Sequence, residues 1–141
     1  MKVEDFDFPE DRLYLKNHVW VKPCGDIIHV GITELGQSLS KGIVHIDLPD
    51  VGDIIHKDDF LVAYETIKAV SQISLPFECT VISVNDDLWD DPNIINNDPY
   101  NIYMVEVKGD YENSDLMGVV EAIAYYGDLI AKERERYEGY E

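Results

Sequence analysis

The sequence predicts a mainly β protein, an antiparallel β-sandwich carrying one C-terminal α-helix. Three observations support this. Short apolar runs rich in β-branched and aromatic residues recur from Leu13 to Val107, separated by turn residues. The period changes only after Ser114, where Leu116, Met117, Val119, Val120, Ile123, Ala124, Leu129 and Ile130 recur at helical spacing. The chain has 141 residues, 45% of them hydrophobic, enough for one domain with its own core.

Residues 1–12 read as a loose acidic arm that ends at Pro9. The domain is expected over residues 13–136, with a charged tail at 137–141. Leu13, Leu15 and then His18 to Lys22 begin the strand pattern. Pro23-Cys24-Gly25-Asp26 is a turn signal, and Ile27 to Ile32 is the returning strand of a hairpin. Thr33 is a good N-cap with Glu34 in the first turn, and the four-residue spacing of Leu35 and Leu39 predicts a short helix over 34–40. Ile43 to Leu48 is a strand stopped by Pro49, and Val51-Gly52-Asp53 turns the chain toward the apolar run Phe60 to Tyr64. Val70 to Leu75 and Cys79 to Val84 are two further strands, the first stopped by Pro76. Residues 85–100 are rich in Asn, Asp and Pro and predict loop with one helical turn from Pro92. Tyr103 to Val107 is the last strand, and a helix is expected over 115–135, with Ser114 as its cap.

The composition narrows the function. Eleven basic residues stand against 29 acidic ones, a net charge of −18. This argues against nucleic acid or an anionic membrane as partner and suits enzymes with basic docking rims. Two cysteines, Cys24 and Cys79, make no disulfide framework, and Cys79 falls in a strand as a small buried residue. The acidic N-terminus lacks the apolar core of a signal peptide, and no apolar run is long enough to span a bilayer, so a reduced, cytoplasmic protein is expected. His18 and His29 lack a third ligand, and the Asp/Asn clusters lack the spacing of a calcium loop, so no metal site is expected.

The stretch from Phe60 to Asn85 carries the functional signal. Lys68 stands between two strand signals, flanked by Glu65-Thr66-Ile67 and Ala69, which places it at a hairpin turn with its amine toward water. A lone lysine in a turn is usually only a solvated charge. The surrounding order is more specific. Glu65-x-x-Lys68-Ala69 resembles the lipoyl-attachment motif of the glycine cleavage system H protein family. So do His18-x-Trp20-Val21, Gly31-Ile32-Thr33, Leu48-Pro49-x-Val51-Gly52 and Asn96-x-x-Pro99-Tyr100, from about Leu13 to Tyr126. Biotin carriers use a similar hairpin, but their lysine sits between methionines, whereas Ile67 and Ala69 flank this one.

The resemblance implies a lipoyl-domain fold of the barrel-sandwich hybrid type and a covalent lipoyl group on Lys68, attached by a lipoate ligase or lipoyl transferase. It implies a non-catalytic swinging-arm carrier, loaded by glycine decarboxylase and then visited by aminomethyltransferase and lipoamide dehydrogenase; no catalytic triad is visible in the sequence. It also places three polar cleft positions of the family, a glutamate, a histidine and an aspartate, at Val19, Leu39 and Gln72. A cleft so changed would hold an apolar arm better than a cationic end. This keeps a second function open: an H-like lipoyl relay, or a scaffold linked to redox state or modification outside glycine cleavage, with macrodomain and sirtuin enzymes as partners. An unmodified sandwich serving as an interaction module is a third.

Overall fold

The computed structural model describes residues 1–40, 43–66 and 70–138, with the side chains of 38–40, 113 and 133–138 outside that description. In chain order, β1 (Lys2–Val3), β2 (Phe6–Asp7), β3 (Leu13–Tyr14), β4 (Val19–Cys24) and β5 (Ile27–Ile32) precede α1 (Glu34–Ser40). Next come β6 (Ile43–Asp47), β7 (Ile54–Ile55), β8 (Phe60–Thr66), β9 (Val70–Ser74) and β10 (Cys79–Val84). Two single-turn helices, α2 (Asp87–Asp90) and α3 (Ile94–Asn97), lead to β11 (Val105–Lys108); a 3-10 turn at Asn113–Asp115 precedes the long helix α4 (Val119–Glu138). Among the described residues, the larger sheet has six strands in the order β3-β4-β5-β11-β10-β7, and the smaller has three in the order β6-β8-β9. All the pairings are antiparallel, as the sequence predicts.

The period of two along each strand divides the molecule into two cores. On β4 and β5, Val19, Val21, Ile28, Val30 and Ile32 point inward and meet Ile43, Ile46, Val62 and Ile73 of the smaller sheet in the main core. Trp20, on the other face of β4, joins a second core with Phe8, Tyr14, Leu35, Ala122 and Tyr126, beneath the N-terminal hairpin and α4. Gly31, opposite Trp20 in the register, is required there, because a Cβ would collide with the Trp20 ring. Thr33 caps α1 through a bond from the Gly36 N–H to its Oγ1 at 3.0 Å.

Four local expectations need correction. The N-terminal residues are not loose: β1 pairs with β2, and Phe8, fully buried, stacks on Tyr126 at 5.4 Å and meets Tyr14 edge-on at 5.5 Å. Two aromatic neighbours outweigh the entropy of a short acidic segment. Strand β4 runs through Pro23 to Cys24, so the loop is only Gly25-Asp26, with Gly25 at φ 67°. The closing pair of such a loop is hydrogen-bonded, so the next pair, Pro23 and Ile28, is not, and proline there sacrifices no ladder bond to β5. The Asp/Asn-rich segment forms two helical turns rather than one, each pinned by a single buried side chain, Leu88 and Ile95. Helix α4 starts at Val119 rather than 115, because Met117 and Tyr14 exchange backbone bonds at 2.8 Å in both directions and hold that stretch extended.

Among the described side chains of α4, Ala122 and Tyr126 are fully buried, whereas Ile123 is half-buried. Ala122→Asp should therefore cost about 3 kcal/mol or more by burying an unpaired carboxylate, and Ile123→Asp should cost less. Thermal melting of both variants checks the order; an unchanged midpoint for Ala122→Asp would mean that α4 does not seal the second core.

Candidate functional site

The motif of Glu65 to Ala69 lies where β8 passes into β9. Inward-facing Leu61, Val62, Tyr64 and Thr66 of β8 and Ile73 of β9 anchor this pair to the main core. The register runs Ala63 to Gln72, Tyr64 to Ser71 and Glu65 to Val70. The strands are thus paired up to Glu65 and Val70. Ile67, Lys68 and Ala69 lie outside the described residues. Glu65 and Val70 are exposed beside them, and Thr66 is buried, paired in register with Ile43 of β6.

The three expected cleft positions have different surroundings. Val19 is fully buried in the main core, paired with Ile32. Gln72 is exposed on the outward face of β9. Leu39 belongs to α1, and its side chain lies outside the described residues. The neighbour of Val19, His18, adopts φ 66° and lays its ring on Tyr126 at 5.3 Å, while its backbone N–H donates to the Tyr126 hydroxyl at 3.0 Å.

A polar row crosses the open face of the larger sheet. The Ser83 hydroxyl donates to Glu106 Oε1 at 2.5 Å, His29 Nε2 sits 2.9 Å from Glu106 Oε2, and Tyr103 OH donates to Oε1 at 3.3 Å. The carboxylate stands between serine and imidazole, so these bonds do not pair Ser83 with His29 as nucleophile and base. The Ser83 hydrogen bond, and then the nearby His29, hold the Glu106 carboxyl below its ordinary value against the opposing effect of burial. A depressed carboxylate pKa adds stability above the unfolded value and loses it as pH falls through the folded one. Ser83→Ala should cost about 1 kcal/mol near neutrality. The gap in melting temperature to the parent should close on acidification below about pH 4; a constant gap would mean that Ser83 contributes by packing alone. Among the described residues, no group of three His, Cys, Asp or Glu side chains could hold a metal ion.

A cluster that the sequence reading missed ties the recognition motifs together. Arg12 is buried, with its guanidinium 4.6 Å from the Trp20 ring and 5.1 Å from that of Tyr100. Its Nη1 donates to the Tyr100 carbonyl at 2.8 Å and its Nε to Asp11 at 2.9 Å, which lowers the Asp11 pKa. Trp20 Nε1 donates to both the Ile32 and Pro99 carbonyls at 3.0 Å. The Tyr100 hydroxyl donates to the Asp7 carbonyl and accepts from the Glu34 N–H at 3.2 Å. The His-x-Trp and Pro-Tyr signatures thus fasten the N-terminal hairpin, β4 and α1 to one another.

This architecture and these motifs match a known family. The model of the glycine cleavage H-protein family matches residues 12–129. The chain belongs to that family. The glycine cleavage system H protein 4 of Aquifex aeolicus is 38% identical over 136 residues, covering 94% of this chain and 80% of that protein. A probable glycine cleavage system H protein of Natronomonas pharaonis is 42% identical, covering 74% of this chain and 84% of its own. In three dimensions, the crystal structure of a glycine cleavage system H protein from Mycobacterium marinum superposes with a TM-score of 0.74 at 27% identity, covering 86% of this chain and 98% of that one. The H-protein fold therefore accounts for the sandwich, the β8–β9 pair and the C-terminal helix together.

Proposed function

We propose that this H-protein family member is a lipoyl carrier of glycine cleavage and that Lys68 bears the lipoyl group. The observation that carries this reading is the β8–β9 pair, closed at Glu65 and Val70 on either side of a Lys-Ala motif, in a chain whose relatives bear the H-protein name. The names of those relatives favour it over a relay outside the pathway. A lipoyl group supplies the dithiol chemistry when bound; the protein's part is to present it. The residues flanking the lysine suit a long arm. Glu65, Val70 and Gln72 are exposed, so an arm leaving this end of the sheet displaces no core side chain, while Thr66 and Ile73 hold the hairpin to the sandwich.

The protein acts as carrier rather than catalyst. A lipoate ligase or lipoyl transferase modifies it, and glycine decarboxylase, aminomethyltransferase and lipoamide dehydrogenase use the arm in turn. Tethering gives each docked enzyme an effective arm concentration of about millimolar. Among the described residues no helix is long and apolar enough to cross a membrane, and we place the carrier in the cytoplasm with these enzymes.

The test is direct. After incubation with a lipoate ligase, intact-mass and peptide analysis should find one lipoyl group, on Lys68. The product should then support exchange of bicarbonate into glycine by glycine decarboxylase. Modification at Lys57, or a fully lipoylated protein without exchange activity, would overturn the assignment.

A further inference from the structure

We infer that the outer face of the β6-β8-β9 sheet, from Phe60 to the Glu65–Val70 pair, is the docking surface for a partner enzyme presenting an apolar socket bordered by lysines and arginines. This rests on the carrier reading above and adds where on the carrier the partner grips. Cross-strand pairing sets the face. Asp47, Ala63 and Gln72 form one row across the three strands, and His45, Glu65 and Val70 the next. At the start of β8 the register shifts between Phe60 and Val62. Leu61 and Val62 both turn into the core, at 4% and 1% exposure, and Phe60 is left outside at 63%. The sandwich core is complete without it.

Phe60 stands over a shallow groove of ≈ 280 Å³ whose lining includes Leu48, Ile55 and Ala63, together with Asp47 and Asp53. Charge names the occupant. Between residues 43 and 66, six carboxylates face one lysine, Lys57, a steeper imbalance than the 29 to 11 of the whole chain. Asp47, Asp50, Asp53, Asp58 and Asp59 are all exposed. An exposed aromatic at a groove lined by the carboxylates of Asp47 and Asp53, in an acidic stretch of chain, suits a hydrophobic socket with a cationic rim and opposes an anionic lipid or nucleic-acid surface. Strand β8 then sets the span: from Phe60 to Thr66 is about 20 Å, so an enzyme seated on the groove holds its active-site mouth near the lysine-bearing end.

The test uses the full lipoylated chain with glycine decarboxylase, and Phe60→Ser, Asp50→Lys combined with Asp59→Lys, and Val120→Ser as variants. Val120 is 70% exposed on α4, remote from this face, and serves as the control. All should melt close to the parent and accept lipoate equally. Phe60→Ser should raise the KM for the carrier roughly tenfold with kcat unchanged. The double lysine variant should raise KM at low salt and lose most of the parent's salt dependence. Val120→Ser should match the parent. Equal KM values for all, or a Phe60→Ser effect that sedimentation traces to loss of a carrier dimer, would overturn the docking surface. If the parent itself fails to support the decarboxylase, the glycine-cleavage reading falls instead. Lipoamide dehydrogenase, reducing the lipoyl disulfide on the full carrier, then decides the surface by the same KM comparison.

Discussion

Lys68→Arg should give a carrier that folds and melts like the parent yet takes up no lipoate, with glycine–bicarbonate exchange at background. Attachment forms an amide between the lipoyl carboxyl and a side-chain amine, which must lose a proton to attack. A lysine ammonium can do so; a guanidinium, with a pKa above about 12, stays protonated and is not acylated under these conditions. The substitution preserves the formal charge of −18 of the unmodified chain and keeps one positive charge that the lipoyl amide removes, too small a change to alter solubility or attraction to basic partners. The loss of function therefore reports the missing arm alone. Residual lipoylation in Lys68→Arg, located by peptide mass, would move the site to another lysine.

The second large effect is on stability. Trp20→Ala should cost about 4 kcal/mol and lower the melting temperature by roughly 10 °C. Trp20 is 2% exposed, covers Gly31, stacks against Arg12 and donates one N–H to two carbonyls from segments 67 residues apart, Ile32 and Pro99. Truncation opens a cavity, strips two buried acceptors of their donor and leaves the buried Arg12 without half of its stack. Trp20→Phe should fall between, because it restores bulk without the donor. A Trp20→Ala protein with the parent's midpoint would show that the second core contributes nothing to folding.

What the sequence revealed followed locality. The returning strand β5, the Thr33 cap of α1 and the strand runs on either side of Lys68 are written in neighbouring residues, and each appears in the structure where expected. The Arg12 stack joins residues up to 88 apart in sequence, so no window contains it, and an arginine ending an acidic segment reads as solvated. Phe8 misled for the same reason: its partners Tyr14 and Tyr126 come from β3 and α4. The family motifs were read as signs of function, and most of them prove to fasten the fold.

Val19 shows the opposite limit. A valine in the place of a family glutamate suggested a cleft that had lost its charge, but the side chain is fully buried among Ile32 and its core neighbours. Val19→Glu would bury an unpaired carboxylate and test stability before it tested any ligand. Gln72→Asp, at an exposed position on β9, is the cleaner way to add charge on the strand that follows the motif.

The contrast between the two tryptophans has a practical consequence for watching this molecule in solution. Trp20 is sealed at 2% exposure, and Trp89 is open at 51% between Asp87 and the pair Asp90 and Asp91. Their fluorescence should separate into a blue-shifted component that persists until the second core melts and a red-shifted one in contact with water. Ionic quenchers then become selective by sign: the carboxylates around Trp89 attract caesium and repel iodide, so the red component should be quenched faster by the cation, and the difference should vanish in high salt.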